Sequence, residues 1–183
     1  MTPRPLLLCL GLLLAPATQA GEVRDTEVRY HDGVYILDMD MELGAGFDSV
    51  RALITDYDHL ARLSSLLTSS SLVYRPGGGL RRRLQIRICI LFFCFKPVVV
   101  EDVEEIGRDR ILTTVVPSLS DFRSGSSQWW LTATAPGHTR IRFEYRMEPD
   151  FWIPPLIGPL LIKSMLQHEA VKTINKIEQL ARG

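Results

Sequence analysis

Side chains that commonly carry catalysis or bind metals are few in this chain, and they do not cluster. The four histidines are scattered singly: His31, His59, His138 and His168. Neither the H-E-x-x-H nor the C-x-x-C spacing that brings metal ligands together occurs. Ser118, Ser120 and Asp121 could imitate part of a hydrolase site, but no G-x-S-x-G turn accompanies them. We therefore predict no metal site, no cofactor and no catalytic constellation.

Two cysteines indicate a hairpin. Along one extended strand Cys89 and Cys94 would lie about 16 Å apart on opposite faces, so they meet only if the chain folds back between them. Pairing them also places Arg82 opposite Glu101 and separates an apolar face from a charged face. We predict a disulfide-closed hairpin, with a bulge or a sheet edge at Pro97, which lacks an N–H. A metal site at the cysteines is the weaker alternative, because no histidine lies nearby in the sequence.

The tip of this hairpin is apolar. Turns usually contain glycine or polar residues, yet the tip consists of Ile90, Leu91, Phe92 and Phe93. Contiguous apolar surface of this kind marks a membrane, ligand or partner contact where it is exposed. The alternative is that the tip packs beneath a neighbouring loop, and the sequence leaves both open.

The first twenty residues have the three parts of a secretory signal peptide. Arg4 gives a short basic start, residues 6–14 are an apolar run, and A-P-A-T-Q-A precedes the predicted cleavage after Ala20. Cleavage after Ala17 and an uncleaved anchor are the alternatives. We therefore predict export to a bacterial periplasm, with eukaryotic secretion as the alternative. Residues 21–183 then form one domain.

The charge balance argues against a nucleic-acid partner. The chain has 21 basic and 21 acidic side chains, so it lacks a long-range attraction for phosphate backbones. The basic run at 81–83 lies across the predicted hairpin from the acidic run at 101–105. Charges paired between neighbouring strands therefore explain the basic run better than a phosphate-binding patch does.

The hydrophobic pattern predicts an α+β domain rich in antiparallel strands. The predicted strands are 22–30, 34–43, 72–74, one around Arg81, 95–106, 110–116, 126–135 and 139–148. Apolar residues at three- and four-residue spacing predict helix over 44–67, with a break at 56–58. A long C-terminal helix is predicted to begin near Gly158-Pro159, with Glu178 facing solvent. Its predicted apolar stripe is Leu166, Ala170, Ile174, Ile177 and Ala181.

Residues 149–166 are nearly all apolar, but they do not predict a membrane span. Pro154, Pro155 and Pro159 each remove a helix N–H donor, and the uninterrupted stretch is shorter than the roughly 20 residues that a span needs. We predict that this segment covers a protein core, a bound lipid or a membrane surface.

The order of these elements resembles the START-like, or helix-grip (SRPBCC), superfamily, which includes polyketide cyclase, coenzyme Q-binding and Bet v 1 groups. The local resemblance lies in I-T-D-Y-D-H-L at 54–60, S-D-F-R-S-G at 120–125 followed by W-W-L, and G-H-T-R at 137–140. The resemblance implies a curved antiparallel sheet that grips the long C-terminal helix, with a short helix pair after the first strands. It also implies a cavity for a lipid, sterol, isoprenoid or polyketide.

We therefore expect non-enzymatic binding or transfer of a hydrophobic molecule, with a membrane surface as a further contact. The candidate ligand contacts are Tyr57, Arg123, Trp130, Phe143, Tyr145, Phe151, Trp152, Leu160, Leu161 and Met165. Trp129 and Trp130 must face opposite sides of a strand, so one of them faces inward. One alternative is an enzyme of the cyclase or aromatase kind, which needs ionisable groups inside the cavity. The other is an interaction module without a small ligand. The sequence does not indicate an oligomeric state.

Overall fold

An eight-stranded antiparallel sheet and one long helix dominate the computed structural model, which describes residues 22–90, 93–153 and 158–183. The strands are β1 (Glu22–His31), β2 (Val34–Leu43), β3 (Leu67–Leu72), β4 (Leu80–Ile86), β5 (Ile88–Ile90), β6 (Phe93–Phe95), β7 (Val98–Ile106), β8 (Arg110–Val115), β9 (Phe122–Ala135) and β10 (His138–Pro149). The helices are α1 (Phe47–Ile54) and α2 (Gly158–Arg182), with short 3-10 turns at Leu60–Arg62 and Pro117–Leu119. The predicted α+β fold, a sheet with a long C-terminal helix, is confirmed.

The sheet has the order β1-β2-β10-β9-β8-β7-β4-β3, and β5 and β6 form a separate two-stranded sheet. Side chains from β2, near one end of the large sheet, and from β3, at the other end, line the same cavity beside α2. The sheet therefore curves around the helix.

Strict alternation makes β2 a strand with one buried face. Every second residue from Tyr35 to Leu43 is buried, while Asp38, Asp40 and Glu42 between them place carboxylates on the outer face. The turn into β2 contains Asp32 and Gly33, both with positive φ, which is the backbone required by the tightest hairpin connection. The first two predicted strands are thus confirmed, together with their turn.

The predicted hairpin register is confirmed. Arg82 pairs with Glu101 in the β4–β7 ladder, and Cys89 pairs with Cys94 in β5–β6, where a disulfide joins them. The single strand predicted over 95–106 is wrong, because it is interrupted at Pro97. Without an N–H, Pro97 cannot donate to the ladder, although its carbonyl accepts a bond from the Ile86 N–H at 2.9 Å.

Two predictions between 44 and 74 need correction. The helix predicted over 44–67 is limited to α1 and the 3-10 turn at Leu60–Arg62. The next strand is Leu67–Leu72 rather than 72–74. Its sequence L-T-S-S-S-L has little apolar alternation, so the strand is specified by its ladder with β4 rather than by its own pattern.

The helix α2 begins at Gly158 as predicted, and it buries an apolar stripe that includes Ile162, Ala170, Ile174 and Ile177. The prediction that Glu178 faces solvent is wrong. Its carboxylate is buried and accepts a hydrogen bond from the Gly44 N–H at 2.8 Å, which fastens the end of the helix to the segment after β2.

No helix in the described ranges is long and apolar enough to cross a membrane.

A second buried carboxylate on α2, Glu169, holds the segment between the 3-10 turn and β3. It accepts bonds from the Ser64 hydroxyl at 2.8 Å, the Ser65 N–H at 2.5 Å and hydroxyl at 2.6 Å, and the Leu66 N–H at 3.2 Å. Burial opposes its ionisation, but these hydrogen bonds outweigh that effect and hold the pKa of Glu169 below its ordinary value of 4.5. The charged form is therefore part of the native structure.

We expect the Glu169 contribution to stability to depend on pH. Because the folded-state pKa is depressed, the contribution is present above the unfolded-state pKa and is lost as pH falls through the folded-state value. Glu169→Gln should cost about 1–3 kcal/mol at neutral pH and less at acidic pH. Urea unfolding at several pH values measures this, with exposed Glu144→Gln on the outer sheet face as control. Parallel pH profiles for wild type and Glu169→Gln would contradict the assignment.

Candidate ligand cavity

A cavity of about 230 Å³ lies between the inner face of the sheet and α2. Its wall is mainly apolar and comes from seven strands, the segment before β3 and the helix. The apolar lining residues are Leu37, Met39, Met41, Leu66, Leu67, Leu84, Ile86, Ile88, Val99, Phe122, Trp129, Phe143, Met147, Met165, Leu166, Ala170 and Ile174.

Aromatic rings from neighbouring strands form one part of this wall. Phe143 of β10 pairs in register with Trp129 of β9, and their ring centroids are 4.2 Å apart. Tyr145, two residues further along β10, lies on the same face with its ring centroid 6.1 Å from that of Phe143. Because side chains alternate in direction along β10, the aromatic rings of this strand face the cavity. Arg142, Glu144 and Arg146, which lie between and beside them, point away from it.

A buried ion pair interrupts the apolar wall. The Arg82 and Glu101 side chains, 9% and 1% exposed as residues, face each other across β4 and β7, with Nε to Oε2 at 2.8 Å. The second carboxylate oxygen, Oε1, accepts a bond from the Thr113 hydroxyl at 3.1 Å. The Thr113 and Ser127 hydroxyl oxygens are 2.8 Å apart. The polar groups at this end of the cavity therefore bond mainly to one another.

Tyr145 adds a hydroxyl that makes no hydrogen bond within the described part of the chain. Burial raises its pKa well above the usual range for tyrosine, and the nearby Glu101 carboxylate raises it further. The phenol is consequently protonated at physiological pH. It can donate one hydrogen bond to a guest molecule.

This arrangement gives the cavity little capacity for proton transfer. Glu101 is paired with Arg82 through one carboxylate oxygen and accepts a hydrogen bond from Thr113 through the other, so both oxygens are already engaged within the protein. The described residues include no group of His, Cys, Asp or Glu side chains able to hold a metal ion. Binding an apolar molecule is the chemistry that the wall supports best.

The structure distributes the predicted contact residues between the cavity and other places. Phe143, Tyr145 and Met165 lie on the cavity wall. Phe151 lies just behind it, with its ring edge-on to that of the lining residue Phe122 at 5.7 Å between centroids. Tyr57 is buried beneath the Arg82 guanidinium, outside the lining, and its hydroxyl donates to Glu105 at 2.9 Å.

Five further predicted contacts also lie outside the cavity lining. Trp130 has the opposite strand parity to Trp129, so the inward tryptophan is Trp129. Arg123 is exposed, and its Nε bonds to Asp150 at 2.7 Å. The remaining three, Trp152, Leu160 and Leu161, are exposed.

Two residues of the predicted hairpin tip, Leu91 and Phe92, lie outside the described residues. The neighbouring positions Ile90 and Phe93 pair with each other in the β5–β6 ladder.

The sequence interpretation missed the polar end of the cavity. It paired Arg82 with Glu101 but treated the pair as ordinary strand charges. The available signal was the alternation of side chains along a strand, because residues two positions apart share a face. Arg82 lies two residues before the inward Leu84, and Glu101 lies two residues after the inward Val99. The register therefore already placed both charges on the inner face.

The family follows from a comparison with known sequences. A family model described as "Polyketide cyclase / dehydrase and lipid transport" matches residues 37–181. This chain belongs to that family. A search of curated proteins finds no match.

Solved structures share the fold at low sequence identity. The Zhui aromatase/cyclase from Streptomyces sp. R1128 is 10% identical, with a TM-score of 0.62 over 81% of this chain and 94% of its own. Human STARD10 is 12% identical, with a TM-score of 0.62 over 86% of this chain and 73% of its own. A STAR-related lipid transfer protein from Xanthomonas axonopodis is 15% identical, with a TM-score of 0.60 over 86% and 99%. The START-like helix-grip fold, which supports hydrophobic ligand binding or cyclase activity, is thereby established for this chain.

We expect the two charges of the buried pair to depend on each other. Glu101→Leu leaves Arg82 uncompensated and should cost about 3–5 kcal/mol, whereas the double variant Arg82→Met, Glu101→Leu should recover most of that loss. Urea unfolding with far-UV circular dichroism measures both. Asp102→Leu, one residue along β7 on the other face, should cost clearly less. A double variant no more stable than Glu101→Leu would show that the loss of stability does not come from leaving the Arg82 charge without its partner.

Proposed function

We propose that this protein binds a hydrophobic, lipid-like molecule between the sheet and α2, without catalysis and outside the cytoplasm. The observation that carries the proposal is the apolar cavity wall, whose few polar groups mostly form hydrogen bonds with one another. Wall residues Trp129, Phe143, Tyr145 and Met165 contact the ligand in this proposal.

Burial of apolar surface supplies the affinity, at about 25 cal/mol for each Å² removed from water. The cavity volume of about 230 Å³ is near the lower end for small-molecule sites, which typically measure about 300–1,000 Å³. A slender guest, such as one isoprenoid or acyl chain, therefore fits better than a lipid with two chains. The Tyr145 hydroxyl can satisfy one polar atom of that guest.

The same family includes lipid transport and cyclase functions, and the polar groups favour transport. A cyclase has to move protons on its substrate, which requires an acid or base whose pKa is close to the working pH. The pKa of Tyr145 is raised far from that range, and Glu101 is held by Arg82 and Thr113.

A cavity-filling substitution tests the binding site. Ala170→Phe places a ring in the cavity and should weaken binding of the fluorescent fatty acid cis-parinaric acid by at least about tenfold, because apolar volume available to the guest is lost. Val171→Phe, at the next and exposed position of α2, is the matched control and should bind like wild type. Equal probe affinity for all three proteins would exclude this cavity as the site.

The cyclase function remains the second candidate, because Arg82, Glu101 and Tyr145 converge at one end of the cavity. Native mass spectrometry of protein from its own host, followed by extraction of the ligand, separates the two functions. A guest that is recovered unchanged after incubation supports binding. Loss of water from an added polyketone supports cyclase activity.

The extracytoplasmic part of the proposal is supported by the signal-like sequence of residues 1–20. We expect protein recovered from its host to begin at Gly21, lacking the preceding twenty residues. Intact-mass measurement together with cell fractionation provides the test. A cytoplasmic protein that still begins at Met1 would contradict export.

A further inference from the structure

The disulfide between Cys89 and Cys94 lies at the surface, on a hairpin that is separate from the large sheet. Both cysteines are exposed, so a thiol in solution can reach the bond. Each strand of the hairpin, β5 and β6, is only three residues long. Because a two-stranded sheet without further strands is marginally stable in water, backbone pairing alone holds these strands together weakly. The covalent bond therefore makes a large contribution to their pairing.

Two residues beside the cysteines belong to the inner side of the hairpin. Ile88 is 5% exposed and lines the cavity, and it pairs in register with Phe95. The Phe95 ring stacks on that of Phe151, with 5.6 Å between the centroids. Since neighbouring side chains of a strand point to opposite faces, the sulfur atoms face outward where Ile88 and Phe95 face inward. One accessible covalent bond thus holds part of the cavity wall.

The β4–β7 ladder of the large sheet ends at the base of this hairpin. After its last register pair, Gln85 with Val98, one further backbone bond joins the Ile86 N–H to the Pro97 carbonyl at 2.9 Å. From there the two strands form a sheet of their own. A change in the hairpin can therefore move Ile88 while the β4–β7 ladder stays intact.

Two cations flank the disulfide in the sequence. Arg87 lies two residues before Cys89, Lys96 lies two residues after Cys94, and residues 87–97 contain no carboxylate. Both cationic side chains are exposed. Nearby positive charge favours the thiolate, which is the form of cysteine that attacks and leaves in thiol–disulfide exchange. The local sequence therefore favours an exchangeable bond over an inert one.

We propose that Cys89–Cys94 is a thiol–disulfide exchange site through which a dithiol reductant controls retention of the cavity guest. One thiolate of the reductant attacks a protein sulfur, the S–S bond breaks, and the other cysteine leaves as a thiolate. The second thiolate of the reductant then displaces the protein from the mixed disulfide. In total the protein bond takes up two electrons and two protons and becomes two thiols, while the reductant becomes a disulfide. The oxidised hairpin holds Ile88 against the guest and the reduced hairpin does not, an effect that rests on the proposed function.

Hydrogen exchange without a guest tests whether the bond holds the hairpin. Every protein carries Cys9→Ser, so that Cys89 and Cys94 are its only cysteines in the wild-type form. Dithiothreitol should reduce the folded protein and speed amide exchange in peptides covering 86–97, while peptides from β9 and β10 exchange as before. The double variant Cys89→Ser, Cys94→Ser is the matched control and should exchange at the reduced wild-type rate with or without dithiothreitol. A bond that resists dithiothreitol in the folded protein, or exchange that is unchanged by its reduction, overturns the proposal.

Release of cis-parinaric acid tests the effect on retention. Reduction should speed dissociation of the bound probe at least about fivefold, because affinity differences between forms of one site appear mainly in the dissociation rate. Re-oxidation should restore slow dissociation, and the double variant should release the probe quickly in both conditions. Equal dissociation rates for oxidised and reduced protein overturn the proposal. Faster hydrogen exchange with no probe bound in either state supports the exchange site and contradicts only the proposed function.

Discussion

One long helix has to cover the inner face of an eight-stranded sheet, and the rest of the structure depends on how it is held there. The apolar stripe of α2 supplies the burial, through residues such as Ile162, Ile174 and Ile177. Burial alone is non-directional, so it does not fix the position of a helix along a curved sheet. Two buried carboxylates do this: Glu169 binds the segment before β3, and Glu178 binds the backbone after β2.

These two contacts keep the helix at the sheet without requiring side chains to fill all the space between them. The gap that remains is the cavity, and in the proposed function its wall serves both stability and ligand recognition. The Arg82–Glu101 pair illustrates the combination. It is costly to bury, but its partners Thr113 and Ser127 complete the hydrogen bonding, so the cavity retains a polar end inside an apolar shell.

The parts of the fold that could be predicted from sequence are those in which the alternation along a strand and its pairing with a distant strand place the same side chains on the buried face. Alternation in β2 and β10 determined the buried face, and the cysteine spacing determined the β4–β7 and β5–β6 register. Three features could not be obtained in this way. The serine-rich β3 depends on its neighbour, the inward choice between Trp129 and Trp130 depends on the β9–β10 ladder, and the burial of Glu178 depends on a backbone N–H contributed from Gly44, far away in sequence.

An empty cavity lowers the stability of the fold, and this loss is linked to the binding of a guest. Side chains around an empty space lose dispersion contacts, and core cavities lower stability roughly in proportion to their volume. Larger residues at small positions such as Ala170 and Ser127 would occupy part of the space. A guest that fills the cavity restores those contacts in the folded state alone, so its binding free energy adds to the stability of the fold. The interaction that positions α2 and the interaction that retains a ligand are therefore coupled, because both act on the same inner face of the sheet.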